Sequence, residues 1–377
     1  MVATYAVLAV AAIKAGRVIS KALKGSLRTG MDFEQGMANV QAQLQATGRE
    51  FERLTNLAIE LGRTTKFTAV QSTEAMYKLV SAGYDAAEVF AVLPAAMTYA
   101  AATGAVLADS TEALSVGLSI FGLEVKESDR IINVFAAGIQ QTFLTSERLA
   151  ESLRMAGQTM STYGISLEES VAALGLLHAK GKIGSAAGRE LRVTILKLNV
   201  AMNKNKGAVG AALQGWNSYT DGIAGAIEML EKAGLTERDV QNELTIRAGS
   251  GAAVLLGSSS ASLRSLTKSI TGTNQAYKAM AIQMDTTEGR TIILKSAIQS
   301  LGIEAFDKFQ FAIDAAIDKV MKWVKEAEKI VSDITVEKLK TFVDQILTMT
   351  DSLAKAAKFL STLGTEMVLF GTFATKA

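Results

Sequence analysis

The sequence predicts an all-α protein: an array of short helical hairpins followed by long amphipathic helices. Three observations carry that prediction. Apolar residues recur at three- and four-residue spacing nearly everywhere, and the strict alternation of a strand is hard to find. Only one proline stands among 377 residues, so helices meet almost no obligatory break. Five apolar runs end in glycine followed by an apolar residue, at Gly83-Tyr84, Gly122-Leu123, Gly164-Ile165, Gly234-Leu235 and Gly302-Ile303. Glycine supplies the left-handed residue that closes a helix, and the apolar residue after it folds back on the last turn.

The elements follow in order. Residues 1–13 carry no charge; as a helix they reach about 20 Å, short of the ~30 Å hydrocarbon core. A secretory signal carries its positive charge before the apolar stretch, and here the charge comes after it. Lys14, Arg17, Lys21, Lys24 and Arg28 step by three and four onto one helical stripe, opposite Ala15, Val18, Ile19, Ala22 and Leu23. Residues 1–31 contain no acid, so a basic arm precedes a mildly acidic body in a chain of net charge +2. Such an amphipathic helix either packs on partner helices or lies on an anionic membrane.

A helix is expected from Met31 to Gly62, then short helices over 69–82, 86–103, 109–121, 125–142, 146–163, 167–180 and 185–202. Thr68–Gln71, Asp85–Glu88 and Ser166–Glu169 match the capping box, in which a short polar side chain and an acid or amide three residues on satisfy each other's free backbone donors. Thr236 is a weaker start signal. Val89–Ala108 is uncharged, but it is alanine-rich and interrupted by Pro94 and Gly104, which favours two buried helical pieces of a soluble bundle over a membrane span.

Residues 203–222, with Gly207, Gly210, Gly215 and Gly222, read as a linker or irregular element. Helices resume over 223–233 and 236–247. Gly249-Ser-Gly251 and Gly257–Ser260 mark a looser joint, and after Ser262 the helices are expected to lengthen. Phe306, Phe309, Ile313, Ile317, Val320, Val324, Ala327 and Val331 form an apolar seam on a helix over 303–333. After a break near 333–335, Val336, Leu339, Val343, Ile346, Leu353, Ala357 and Leu360 continue it. The domain division is 1–31 (basic amphipathic helix), 32–202 (helical core), 203–302 (second helical region after the glycine-rich linker) and 303–377 (long helices with the seam).

Composition excludes several chemistries. A hydrophobic share of 49% rules out a disordered chain. Without cysteine there are no disulfides, thiolate zinc sites, iron–sulfur ligands or cysteine nucleophile. His178 is the sole histidine, so His-His metal pairs are excluded; on its apolar helical run it reads as a structural residue. Gly249-Ser-Gly251 lacks the lysine and the preceding strand of a phosphate loop. Gly181–Gly188 feeds a helix N-terminus, which attracts anions, but it reads as a tight helix–helix connection. The acidic pairs Glu168-Glu169 and Glu326/Glu328 are expected on solvated faces. The near-balance of charge and the lack of basic–aromatic interleaving argue against specific nucleic-acid binding. No catalytic, cofactor-binding or metal-binding residue is assigned.

Several ordered stretches together resemble a known family: Asp32–Val40, Leu61–Thr68, Glu74–Met76, Ser81–Tyr84, Leu93-Pro94, Ala100–Thr103, Gly164–Glu168, Gly181, Gly184–Ala186 and Gly188–Arg192, then more weakly Thr273–Tyr277 and Leu294–Ala297. Their order is similar to the core region of tailed-phage tape-measure proteins, also called minor tail proteins. The similarity is best over 32–200 and continues to about 310. The resemblance implies a non-enzymatic protein of tail assembly that sets tail length, resides in the tail lumen after synthesis in the bacterial cytoplasm, and leaves during genome delivery. It implies no cofactor. The implied partners are copies of itself, the tail tube and the tail-tip or baseplate proteins, with possible host-membrane contact. Members are usually much longer, which leaves a fragment, a degraded prophage product and the tape measure of a short tail or injection device as alternatives. The competing functional reading is an α-helical membrane-active or pore-forming protein, resting on residues 1–28 and 89–108; an appended lytic enzyme is a third.

Overall fold

The computed structural model describes residues 28–44, 47–205, 207–244 and 246–331. Every regular element among them is helical, as the periodicity and the near-absence of proline predict. Residues 28–43 form α1. There follow α2 (Gly48–Thr64), α3 (Ala69–Ser81), α4 (Ala86–Thr103), α5 (Leu107–Phe121), a 3-10 turn at Val125–Glu127 and α6 (Ser128–Gln141). Next come α7 (Ser146–Thr162), α8 (Leu167–Ala179), α9 (Ser185–Lys204), α10 (Gly207–Ala212) and α11 (Ser218–Lys232). The last are α12 (Glu237–Glu243), α13 (Ile246–Ser258), α14 (Ser260–Ile270), α15 (Gln275–Met284) and α16 (Thr287–Val331).

Four of the five glycine terminators act as predicted. Gly83, Gly122, Gly164 and Gly234 all have positive φ. The apolar residue after each donates its N–H back across the turn: Tyr84 to Leu79, Leu123 to Leu118, Ile165 to Met160 and Leu235 to Leu230, at 2.9–3.1 Å. Gly302 is different. It lies inside the 45-residue α16, which runs through it. Gly181 closes α8 in the same way as the four, with φ +82° and Lys182 N–H donating to Leu177 O at 3.0 Å.

Capping explains the starts and one missed stop. The boxes at Thr68–Gln71 and Asp85–Glu88 are complete, and so is the one at Thr236–Asp239. Thr47–Glu50 forms a fourth, which divides the expected Met31–Gly62 helix into α1 and α2.

Two other expectations are corrected. Gly249-Ser-Gly251 is not a loose joint but part of α13. A Cβ at Gly249 would meet Gln241 Cα at 2.8 Å, and one at Gly251 would collide with Thr194 Oγ1 of α9, so these glycines permit close helix approach. Lengthening is also delayed: α14 and α15 stay short, at 11 and 10 residues, and only α16 is long. The 203–222 stretch holds the end of α9, the short α10, a turn, and the start of α11 up to a kink at Gly222 (φ +64°).

The described residues divide into two compact units, Gly36–Ala297 and residues 28–35 with 298–331. In the larger unit α4 is central, packed on α5, α6 and α15. It buries Val92, Leu93, Met97 and Tyr99, and the Tyr99 ring lies 5.9 Å from that of Phe135 on α6. By length and composition α4 would be able to cross a membrane, but its apolar residues are spent on this core. α7 packs on α5 and α9, α9 on α13, and α14 on α8. Each fully buried Leu, Ile or Phe contributes roughly 1.5–3 kcal/mol of transfer free energy. In the smaller unit, α1 meets α16. A Cβ at Gly30 would lie 2.8 Å from Phe306 Cδ1, and Gln310 donates to Glu34 at 2.7 Å. Arg28 is 4.0 Å from Asp32. The other basic positions (Lys14, Arg17, Lys21, Lys24) and the 336–360 seam lie outside the described residues, as do the seam side chains beyond Phe306.

Candidate functional site

Three glycines from the stretches singled out in the sequence sit at close helix contacts. At Gly36 a Cβ would reach within 2.9 Å of Thr73 Cβ, tying α1 to α3. At Gly62 it would meet the Ala69 backbone at 2.6–2.9 Å, which lets α2 reverse into α3 over the 65–68 turn. At Gly188 it would collide with Ser152 O and lie 2.8 Å from Met155 Cβ, so α9 sits directly on the α7 backbone. These glycines serve packing.

The richest polar cluster is at the α8–α9 connection. His178 is buried, 5% exposed, with Nδ1 2.9 Å from Leu174 O. Its Nε2 accepts the Gly184 N–H at 3.0 Å. That pairing requires the neutral tautomer with its proton on Nδ1, and burial pushes the imidazole below its usual value, with Arg148 adding to the effect. Both ring nitrogens are thus committed to backbone, so the only histidine is structural and carries no free base. Ser152 Oγ donates to Gly184 O at 2.7 Å. Lys182 Nζ bonds Glu190 Oε1 at 3.0 Å and Ser250 Oγ at 2.9 Å, joining the connection to α9 and α13.

The acidic pair Glu168-Glu169 is not solvated. Glu168 is 4% exposed and takes a two-point contact from Arg130, Nε to Oε1 at 2.8 Å and Nη2 to Oε2 at 3.0 Å. Arg130 also reaches Glu127 at 3.1 Å, and these carboxylates hold its guanidinium firmly protonated. Glu169 leaves its own capping box half-formed: Ser166 Oγ accepts Glu169 N–H at 3.1 Å, but the carboxylate crosses to Ala224 N–H at 2.8 Å. A Cβ at Gly222 would collide with that carboxylate, so glycine is needed there. Burial raises the Glu169 carboxyl above its usual range. Sequence periodicity missed both acids because their partners lie 38 and 55 positions away. The Glu326 and Glu328 side chains lie outside those described.

Among the described residues no group of three or more histidine, cysteine or acidic side chains is placed to hold a metal ion. A surface groove of about 540 Å³ runs between the Gly83 and Gly122 turns, lined by Tyr84, Glu88, Leu118 and Glu124. Its two acids already have partners: Glu88 caps α4 through Asp85, and Glu124 pairs with Lys126 at 2.7 Å. The polar clusters described here join helices to one another.

Comparison with known proteins gives a consistent result. The family described as phage-related minor tail protein matches residues 55–244. A tape measure protein of Pneumococcus phage Dp-1 is 30% identical over 328 residues, which is 85% of this chain and 27% of that protein. A probable tape measure protein of Escherichia phage P2 is 24% identical over 330 residues, 82% of this chain and 40% of that one. The chain therefore spans about a quarter to two fifths of the length of these curated relatives. No solved structure matches.

Proposed function

Since the chain belongs to the phage-related minor tail protein family, we propose that it is a non-enzymatic component of a phage tail that acts in tail assembly and length determination and takes part in genome delivery. The observation that carries this reading is the similarity to tape measure proteins over more than four fifths of the chain. The structure supports it in two ways. The described polar clusters are engaged in holding helices together. The hairpin body leads into α16, whose 45 residues extend about 68 Å at ~1.5 Å per residue.

The partners of this role are copies of the same chain, the tail tube and the tail-tip or baseplate proteins, with the protein housed in the tail lumen. Ile298 and Leu301 support self-association: they lie three residues apart on α16 and are 58% and 52% exposed. The membrane-active reading loses support because α4, one of its two motivating segments, is packed in the core.

The direct test of residence is composition. Tails purified from the parent phage should contain this chain at constant stoichiometry by quantitative mass spectrometry, and deleting its gene should abolish tails of normal length. Normal tails lacking the chain would overturn the reading.

A further inference from the structure

We propose that His178 is a proton-operated latch on the α8–α9 connection: the neutral ring holds Gly184 and the start of α9 against α8, and a proton on Nε2 releases them. The geometry is specific. Nε2 is the acceptor for Gly184 N–H at 3.0 Å, while Nδ1 faces Leu174 O at 2.9 Å. When a proton from solvent adds to Nε2, the acceptor becomes a donor pointing at another donor, and the Gly184 bond is lost. The ring is buried, so the new charge also lacks water.

The charged groups that meet this connection are Arg148 and Glu151 of α7, and Lys182, which lies on it and is paired with Glu190 of α9. Arg148 disfavours the charged ring. Glu151 lies against Gly184, where a Cβ would collide with its carboxylate. Lys182 is already engaged by Glu190 and Ser250.

The consequence extends beyond one bond. Gly184 begins α9 in a conformation with φ +54° and ψ −129°, held by the ring on its N–H and by Ser152 on its C=O. Lys182, on the same connection, bonds Ser250 on α13. Opening this connection therefore loosens the first turn of α9 and the connection's own bond to α13, while Thr194 still holds α9 to Ala248 of α13; the terminators and capping boxes elsewhere hold no histidine.

The sign is fixed by the ring's lowered folded value. The latch's contribution is fully present above the unfolded imidazole value of about 6.5 and is lost as pH falls through the folded one. Opening is favoured at most about tenfold for each unit between the two.

The experiment is hydrogen exchange of the full chain followed by mass spectrometry, corrected for intrinsic exchange rates, between about pH 7.5 and about pH 5. Protection over residues 179–187 should fall selectively, while the α6 core over 131–137 keeps its own. His178→Gln, which keeps an acceptor but cannot gain a proton in this range, should remove the selective fall. If that variant fails to fold, the wild type still decides: its single imidazole resonance should titrate below the ordinary range, with the same midpoint as the loss of protection. Unchanged protection across the range, a loss shared equally by the whole core, or mismatched midpoints would overturn the latch. This outcome is independent of the tail assignment.

Discussion

Replacing Gly188 by alanine tests the packing on which the α7–α9 pair depends. In an ordinary helix interior, glycine to alanine stabilises by about 1 kcal/mol. At Gly188 the added methyl would collide with Ser152 O and sit 2.8 Å from Met155 Cβ and 2.9 Å from Ser152 Cα. Carbon–carbon contacts are optimal near 3.5–4.0 Å. The obstacles are backbone and a Cβ, so no side-chain rotation relieves them, and α9 must move off α7. Overpacking of this kind costs about 1–3 kcal/mol, and the direct backbone contact places this case at the upper end. After the propensity gain, the net loss is about 1–2 kcal/mol. Gly48→Ala provides the control. It sits at the start of α2 with nothing within 4 Å of a Cβ, and should be neutral or stabilising by up to about 1 kcal/mol. Urea unfolding followed by far-ultraviolet circular dichroism on both variants reads the difference. A Gly188→Ala protein as stable as its parent would refute the close-approach reading of the glycines.

Further substitutions probe the Glu168-Glu169 pair. Arg130→Ala leaves Glu168 buried without its cation; because Arg130 is 43% exposed, the loss should be about 2–3 kcal/mol, below the full cost of breaking a fully buried pair, and Arg130→Met with Glu168→Leu should recover more than half of it in the same unfolding assay. Glu169→Gln keeps an oxygen acceptor for Ala224 N–H and removes a charge that burial disfavours. Because the folded carboxyl value is raised, the wild type gains stability from this group as pH falls through it, and the variant does not. The stability advantage of Glu169→Gln measured near neutrality should therefore shrink on acidification, and a growing advantage would contradict the assignment.

Signals confined to a few residues were legible in the sequence. Gly83, Gly122, Gly164 and Gly234 close helices because each needs only its own left-handed φ and one folded-back neighbour. Asp85 and Thr68 start helices because their partners lie three residues away. Thr47 lies within the expected Met31–Gly62 helix, and only the box it completes with Glu50 marks the break there. Meaning that depends on tertiary neighbours was not legible. Gly249 and Gly251 looked like loop glycines, yet each faces a neighbouring helix at a distance that only glycine permits. Gly302 looked like a terminator and is interior. Glu168 looked like surface charge because Arg130 belongs to another helix. Periodicity placed His178 correctly on an apolar run, but its pairing with Gly184 depends on how the next connection folds back.

Tail length measured by electron microscopy tests the ruler role most directly. The parent phage would carry an in-frame duplication of residues 304–331, which lie wholly within α16. A helix laid along the tail axis predicts tails longer by about 42 Å, at ~1.5 Å per residue, with width and tip unchanged. Intact, infectious particles with tails of the original length would contradict the role of this chain in setting length.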